Sequence, residues 1–101
     1  MTSSPRVQKY GGSSVADIPR LRRIAERLAR LAQSGERLVV VVSAMGKTTT
    51  QLLELAEQAR VAGGAINAAQ RELDMLVSTG ERVTMSLLAI ILQGLGARAL
   101  G

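Results

Sequence analysis

The chain has 101 residues, of which 47% are apolar, and its 13 basic and 8 acidic side chains leave a net charge of +5. This length suits one small domain with a core of its own. The absence of histidine and cysteine excludes disulfides, Ser-His and Cys-His catalysis, and histidine-ligated metals within these residues.

The first predicted strand, Arg6–Tyr10, runs into the turn Gly11-Gly12-Ser13-Ser14, and a helix pattern follows. A strand, a glycine-rich turn and a helix form the arrangement in which backbone N–H groups close around a phosphate. The two glycines can adopt positive φ angles and let a ligand approach the backbone closely. Lys9 adds a mobile positive charge. The alternative is an ordinary tight turn that binds no ligand.

The first predicted helix runs from about Ile18 to Gln33 and ends at Ser34-Gly35, because apolar residues recur at three- and four-residue steps. A separate arginine stripe comprises Arg20, Arg23, Arg27 and Arg30. Such a basic helix is typical of nucleic-acid-binding modules, which gives one alternative function. The single aromatic residue argues against that function, because no side chains remain for base stacking. We therefore interpret the stripe as a solvated face or a contact with another part of the protein.

The second predicted strand, Arg37–Ser43, is a β-branched run of the kind that is buried in a parallel sheet. We expect it to lie next to or near the first strand and parallel to it. It leads into Gly46-Lys47-Thr48, but a Walker A loop would need a glycine at position 41, where the chain has valine. Parallel sheets bind ligands beyond the carboxyl ends of their strands. The only two lysines, Lys9 and Lys47, would therefore lie at one edge of the sheet.

Three further helices are predicted after this loop. Their ranges are about Thr49–Val61, Glu72–Val77 and Glu81–Gln93, with Gly63-Gly64 ending the first and a loop over Ala65–Gln70. Ser78 or Thr79 would cap the last helix, and Glu81 would be a first-turn acid favoured by the helix dipole. The longest apolar run, Leu87–Leu92, is far shorter than the roughly 20 residues that span a bilayer, so no membrane is expected.

Three segments resemble, in order, the N-terminal part of the catalytic domain of aspartate kinases, within the amino acid kinase family. They are Val7–Val15, Val41–Thr49 and Arg71–Glu81. The block Lys-Tyr-Gly-Gly-Ser-Ser is the most specific part, and the resemblance covers almost the whole chain. It implies the carbamate kinase-like fold, a three-layer α/β/α arrangement around a mainly parallel sheet. Residues 1–101 would form the N-terminal portion of that domain, truncated and without regulatory domains.

The resemblance implies transfer of the ATP γ-phosphoryl group to the side-chain carboxylate of L-aspartate. The product would be 4-phospho-L-aspartate, the entry to lysine, threonine and methionine biosynthesis. ATP would be used with Mg²⁺, and no metal would be held by protein side chains alone. We expect a cytoplasmic protein that is a homo-oligomer in its full-length form. Because much of such a domain would be missing, a non-catalytic scaffold is the second alternative function.

The resemblance also assigns roles to individual residues. Lys9 is similar to the catalytic lysine that stabilises charge on the transferring phosphoryl group, and the phosphate-binding turn would comprise Gly11, Gly12 and Ser13.

On the substrate side, Ser43 and Thr48 match the positions of hydroxyls that contact aspartate, and Glu81 matches the acid that holds its amino group. Lys47 has two interpretations, a further phosphate-site lysine or a solvated loop side chain.

Overall fold

The computed structural model describes residues 4–101 as strands that alternate with helices. Residues 1–3, which the sequence analysis placed in the same domain, lie outside the described residues. The elements in chain order are β1 (Arg6–Tyr10), α1 (Ile18–Gln33), β2 (Leu38–Val42), α2 (Thr48–Gly63) and α3 (Gln70–Gly94).

The two strands pair in parallel, with a register that runs from Arg6 opposite Leu38 to Tyr10 opposite Val42. The prediction of adjacent parallel strands is therefore confirmed. Parallel pairing brings the carboxyl ends of both strands to the same edge of the sheet, so the loops that follow them become neighbours.

Helix α1 begins and ends where local signals predict. The Asp17 side chain accepts a hydrogen bond of 2.9 Å from the Arg20 backbone N–H, and Pro19 lies in the first turn. At the other end Gly35 has a φ of 91°, a left-handed conformation that favours glycine. Helix α2 ends similarly at Gly64, with a φ of 72°, and it extends slightly beyond its predicted range.

We expect Asp17→Ala to lower the free energy of unfolding by about 1 kcal/mol, because the helix loses the side-chain acceptor for a first-turn N–H. Urea denaturation of the wild-type and variant chains measures this difference. Asp17→Asn is the matched control, since its amide oxygen still caps the helix. Equal losses for the alanine and asparagine variants would contradict the capping role.

The core lies on one face of the sheet, where α1 and α3 pack together. Its buried apolar residues are Val15, Leu21, Ile24, Ala25, Leu28, Val42 and Leu88. Alternate residues of a strand face opposite sides. On the opposite face Val7, Val39 and Val41 are 64%, 48% and 45% exposed. The parallel α/β class is confirmed, and residues 4–101 supply two layers of the expected three.

Helix α3 corrects the prediction of two helices separated at positions 78–80. It is continuous over Gln70–Gly94, so neither Ser78 nor Thr79 caps a helix. Their hydroxyls instead donate to the preceding turn, from Ser78 to the Met75 carbonyl at 2.8 Å and from Thr79 to the Leu76 carbonyl at 2.6 Å. The segment Ser78-Thr79-Gly80 has a low intrinsic helix propensity, and packing against the rest of the domain stabilises its helical conformation.

The continuous α3 is also long and apolar enough, by length and composition, to cross a membrane. A helix of this length was not expected, because the longest uninterrupted apolar run is the short segment Leu87–Leu92. In the structure α3 contacts α1, α2 and β2. Core helices of globular proteins pass the same test of length and composition, so one such helix is weak evidence for a membrane span. In this structure 17% of the apolar window of α3 is buried.

Candidate functional site

Two loops meet at the carboxyl ends of the strands. The first loop, residues 11–17, follows β1, and the second loop, residues 43–47, follows β2. The Ser43 N–H donates to the Tyr10 carbonyl at 3.1 Å, and the Gly46 N–H donates to the Gly12 carbonyl at 3.1 Å. These backbone bonds extend the sheet pairing into the loops and hold them side by side.

Glycine at position 12 favours the close approach of the two loops. A Cβ atom on Gly12 would lie 3.2 Å from the Ala44 carbonyl oxygen and 3.4 Å from that of Gly46. Both distances are tighter than ordinary contacts and both oxygens belong to the backbone, so a side chain at position 12 would require the second loop to shift slightly.

A positive φ, which both glycines of the first loop could adopt, occurs instead in the second loop. Neither Gly11 nor Gly12 has a positive φ, whereas Gly46 has a φ of 49°. Gly11 forms an ordinary turn, in which its carbonyl accepts the Ser14 N–H at 3.0 Å, and a Cβ there would meet no atom within 4 Å. The left-handed residue therefore lies in the second loop, and the first loop uses glycine for close packing.

Lys9 lies one residue before the end of β1 and is exposed. Strand alternation places it on the same face as Val7, and the register places it opposite Val41. The ammonium group is thus carried by the uncovered face of the sheet, next to the turn that contains Gly11, Gly12 and Ser13.

Arg20 contacts the first loop, a role that the sequence analysis did not assign to it. Its guanidinium donates to the Ser13 carbonyl at 3.2 Å and lies 4.0 Å from the Asp17 carboxylate. The sequence feature that indicates this contact is the position of Arg20 three residues after the helix N-cap, because a long side chain there can reach back to the loop. Within the same helix Arg22 pairs with Glu26 at 2.9 Å.

The substrate-side residues predicted in the second loop lie at its two ends. Ser43 and Lys47 are exposed, and Thr48, the first residue of α2, is half-buried. Lys47 occupies the N-cap position of α2 but makes no side-chain capping hydrogen bond.

Helix α3 reaches the second loop at Gly80. A Cβ atom on this buried glycine would lie 2.9 Å from the Ala44 Cβ and 3.2 Å from the Thr48 Cγ2. The next residue, Glu81, is exposed in the middle of the helix, so the expected first-turn position and dipole interaction are wrong. Among the hydrogen bonds of residues 4–101, none joins Glu81 to Ser43 or Thr48.

The structure therefore gathers the predicted residues into two neighbouring groups at one edge of the sheet. Lys9 and the Gly11, Gly12, Ser13 turn form the first group. Ser43, Lys47, Thr48 and the Gly80–Glu81 segment of α3 form the second. Within residues 4–101 no three acidic side chains cluster in a way that could hold a metal ion.

Comparison with known proteins gives matches across this whole arrangement. The model of the amino acid kinase family matches residues 4–100. The aspartokinase of Mycolicibacterium smegmatis is 52% identical over 93 residues, which cover 92% of this chain and 21% of the relative. That of Thermus thermophilus is 45% identical over 95 residues, which cover 94% of this chain and 22% of the relative.

The crystal structure of aspartate kinase from Synechocystis superposes with a TM-score of 0.82 at 47% sequence identity. The superposition covers 91% of this chain and 15% of that one. The chain thus spans about a fifth of the length of the curated relatives that it matches.

Proposed function

Since this chain belongs to the amino acid kinase family, we propose that it forms the phosphate-binding and part of the aspartate-binding site of an aspartate kinase. The reaction is transfer of the ATP γ-phosphoryl group to the side-chain carboxylate of L-aspartate, which gives 4-phospho-L-aspartate. The observation that carries the proposal is the hydrogen-bonded pair of loops at one sheet edge, where both groups of residues meet.

Charge neutralisation is the main task of the first group. Phosphoryl transfer needs little covalent help from the protein, and its acceleration comes mainly from positioning and electrostatic stabilisation. Lys9 would supply a positive charge to the γ-phosphoryl oxygens, and the turn of Gly11, Gly12 and Ser13 would supply backbone donors. ATP would arrive with Mg²⁺, which reduces the charge on the phosphates.

Orientation of the acceptor is the task of the second group. The hydroxyls of Ser43 and Thr48 would donate hydrogen bonds to aspartate, and the Glu81 carboxylate would bind its ammonium group. No general base is required, because the aspartate carboxylate is ionised at neutral pH and has no proton to lose. Lys47 ends the second loop, directly before Thr48, so its ammonium group would act on ATP or on aspartate. Its exposure also suits a solvated side chain.

The wider context follows from the same proposal. The product would enter lysine, threonine and methionine biosynthesis, and the reaction would take place in the cytoplasm. The complete enzyme would be a homo-oligomer.

A chimera tests the proposed function. In it, this chain replaces the matching segment of the Mycolicibacterium smegmatis aspartokinase, and a coupled assay follows ADP release with L-aspartate. We expect the chimera to phosphorylate aspartate, because its sites would be complete. We expect no turnover from the 101-residue chain alone, since it spans 21% of that relative and the reaction depends on many contacts acting together.

Two outcomes would contradict these expectations. A folded chimera that binds ATP but does not phosphorylate aspartate would refute the assigned acceptor. Turnover by the isolated chain, above that of its Lys9→Ala variant, would show that the reaction does not need the part of the relatives that lies outside the matched segment.

A further inference from the structure

We infer that Gly80 is a positioning residue that sets the separation between α3 and the second loop, and thereby the geometry of the aspartate subsite. This inference rests on the proposed function. It concerns a residue that touches no substrate itself and acts through Ser43, Thr48 and Glu81.

Packing at Gly80 leaves no room for a side chain. It is a buried residue in the interior of α3, and a Cβ atom added to it would lie 2.9 Å from the Ala44 Cβ. Carbon atoms in contact are normally about 3.5–4.0 Å apart. The Ala44 Cβ is fixed to the backbone of the second loop, so this clash cannot be relieved by rotating a side chain. Either α3 or the loop would have to move.

The crowded contact lies between the residues proposed to bind aspartate. Ala44 follows Ser43 directly, and Gly80 precedes Glu81 directly. Thr48 is itself part of the contact, because its Cγ2 would lie 3.2 Å from the added Cβ. A displacement at this point would therefore change the separation of Glu81 from both hydroxyls.

A second feature ties Gly80 to the fold of α3. The hydroxyl of Thr84, a fully buried residue, donates to the Gly80 carbonyl at 3.2 Å. The bond lies within α3, and the full burial of Thr84 shows that this turn of the helix packs in the interior. Movement caused by a larger residue would consequently pass to the second loop and to the neighbouring Glu81.

Substitution by alanine in the chimera is expected to act on one substrate. A displacement of roughly 1 Å in a binding site can cost about a hundredfold in rate, so we expect Gly80→Ala to lower kcat/KM for aspartate by about 10- to 100-fold, mainly through a raised KM for aspartate. The KM for ATP should change less than about threefold, because the atoms nearest to Gly80 belong to the second loop and α2 and not to the first loop.

Gly94→Ala is the matched control in the same helix. A Cβ atom there would meet no atom within 4 Å, so the substitution changes helix propensity without crowding. Both glycines lie within α3, and neither has a positive φ. We expect Gly94→Ala to leave both KM values unchanged.

The rescue experiment is the double variant Ala44→Gly/Gly80→Ala, compared with Ala44→Gly alone. Removing the Ala44 Cβ removes the closest atom to the new side chain, and we expect the KM for aspartate to return to within about threefold of the Ala44→Gly value. If Gly80→Ala alone does not fold, this comparison still tests the inference.

The inference is overturned if Gly80→Ala behaves like Gly94→Ala, or if the double variant keeps the raised KM for aspartate. It is also overturned if the KM for ATP rises as much as that for aspartate, because the effect would then be general damage. An unmodified chimera that lacks aspartate kinase activity would instead refute the proposed function. The two failures are therefore distinguishable.

Discussion

Replacement of Lys9 by methionine in the chimera is expected to lower kcat by about a hundredfold or more, the loss of about 3 kcal/mol that removal of one preorganised charge-stabilising group typically causes. The fold should persist, because Lys9 is exposed near the end of β1 and methionine keeps an unbranched stem of similar length. Steady-state kinetics with both substrates, together with thermal unfolding, measure the two effects separately.

Arg27→Met is the control for the loss of a positive charge, since Arg27 is an exposed member of the arginine stripe outside both loops. It should leave kcat unchanged. Lys47→Met in the same assay decides between the two interpretations of Lys47. A kcat for Lys9→Met within a few-fold of the unmodified chimera would show that the phosphate-site assignment is wrong and that Gly11-Gly12 is an ordinary turn.

Glu81→Ala is expected to raise the KM for aspartate by about 10- to 100-fold, because a hydrogen bond to a charged group contributes about 1.5–3 kcal/mol. The KM for ATP should change little, since Glu81 is assigned to the amino group of aspartate and not to the phosphates. This pattern differs from that of Lys9→Met, which should act mainly on kcat.

Glu54→Ala tests whether the effect depends on the position of the lost charge, because Glu54 is an exposed carboxylate on the neighbouring helix α2. It should leave both KM values unchanged. The assignment of Glu81 fails if its alanine variant raises the two KM values equally. It also fails if the inhibition constants of deamino analogues of aspartate rise as much as the KM for aspartate. Such analogues lack the ammonium group that Glu81 would bind.

The elements with strong local signals were predictable from the chain. Helix α1 has the predicted range Ile18–Gln33, because Asp17 caps its start, Gly35 ends it and its apolar periodicity is regular. The β-branched residues of β2 likewise specify a strand, observed as Leu38–Val42. The expected burial of both its faces is not observed within residues 4–101, because Val39 and Val41 are exposed. With two strands and an intervening helix, parallel pairing of the strands follows from connectivity.

The conformation of the glycines was less predictable. Glycine at a turn permits a positive φ but does not require it, and Gly11 and Gly12 do not use one. Glycine suits position 12 because backbone oxygens of the second loop lie 3.2 and 3.4 Å from where a Cβ would be. A contact between residues so far apart along the chain cannot be recognised from the local sequence.

The sequence alone determined the α/β pattern, the parallel sheet edge and the family resemblance, because periodicity, capping residues and contiguous motifs are local properties of the chain. Only the tertiary structure decided that α3 passes unbroken through Ser78, Thr79 and Gly80, where local preferences indicated a new helix start. The physical reason is that Gly80 is buried beside Ala44 and Thr48. Close packing there stabilises the helix, and it also places Glu81 next to the second loop instead of in a first turn.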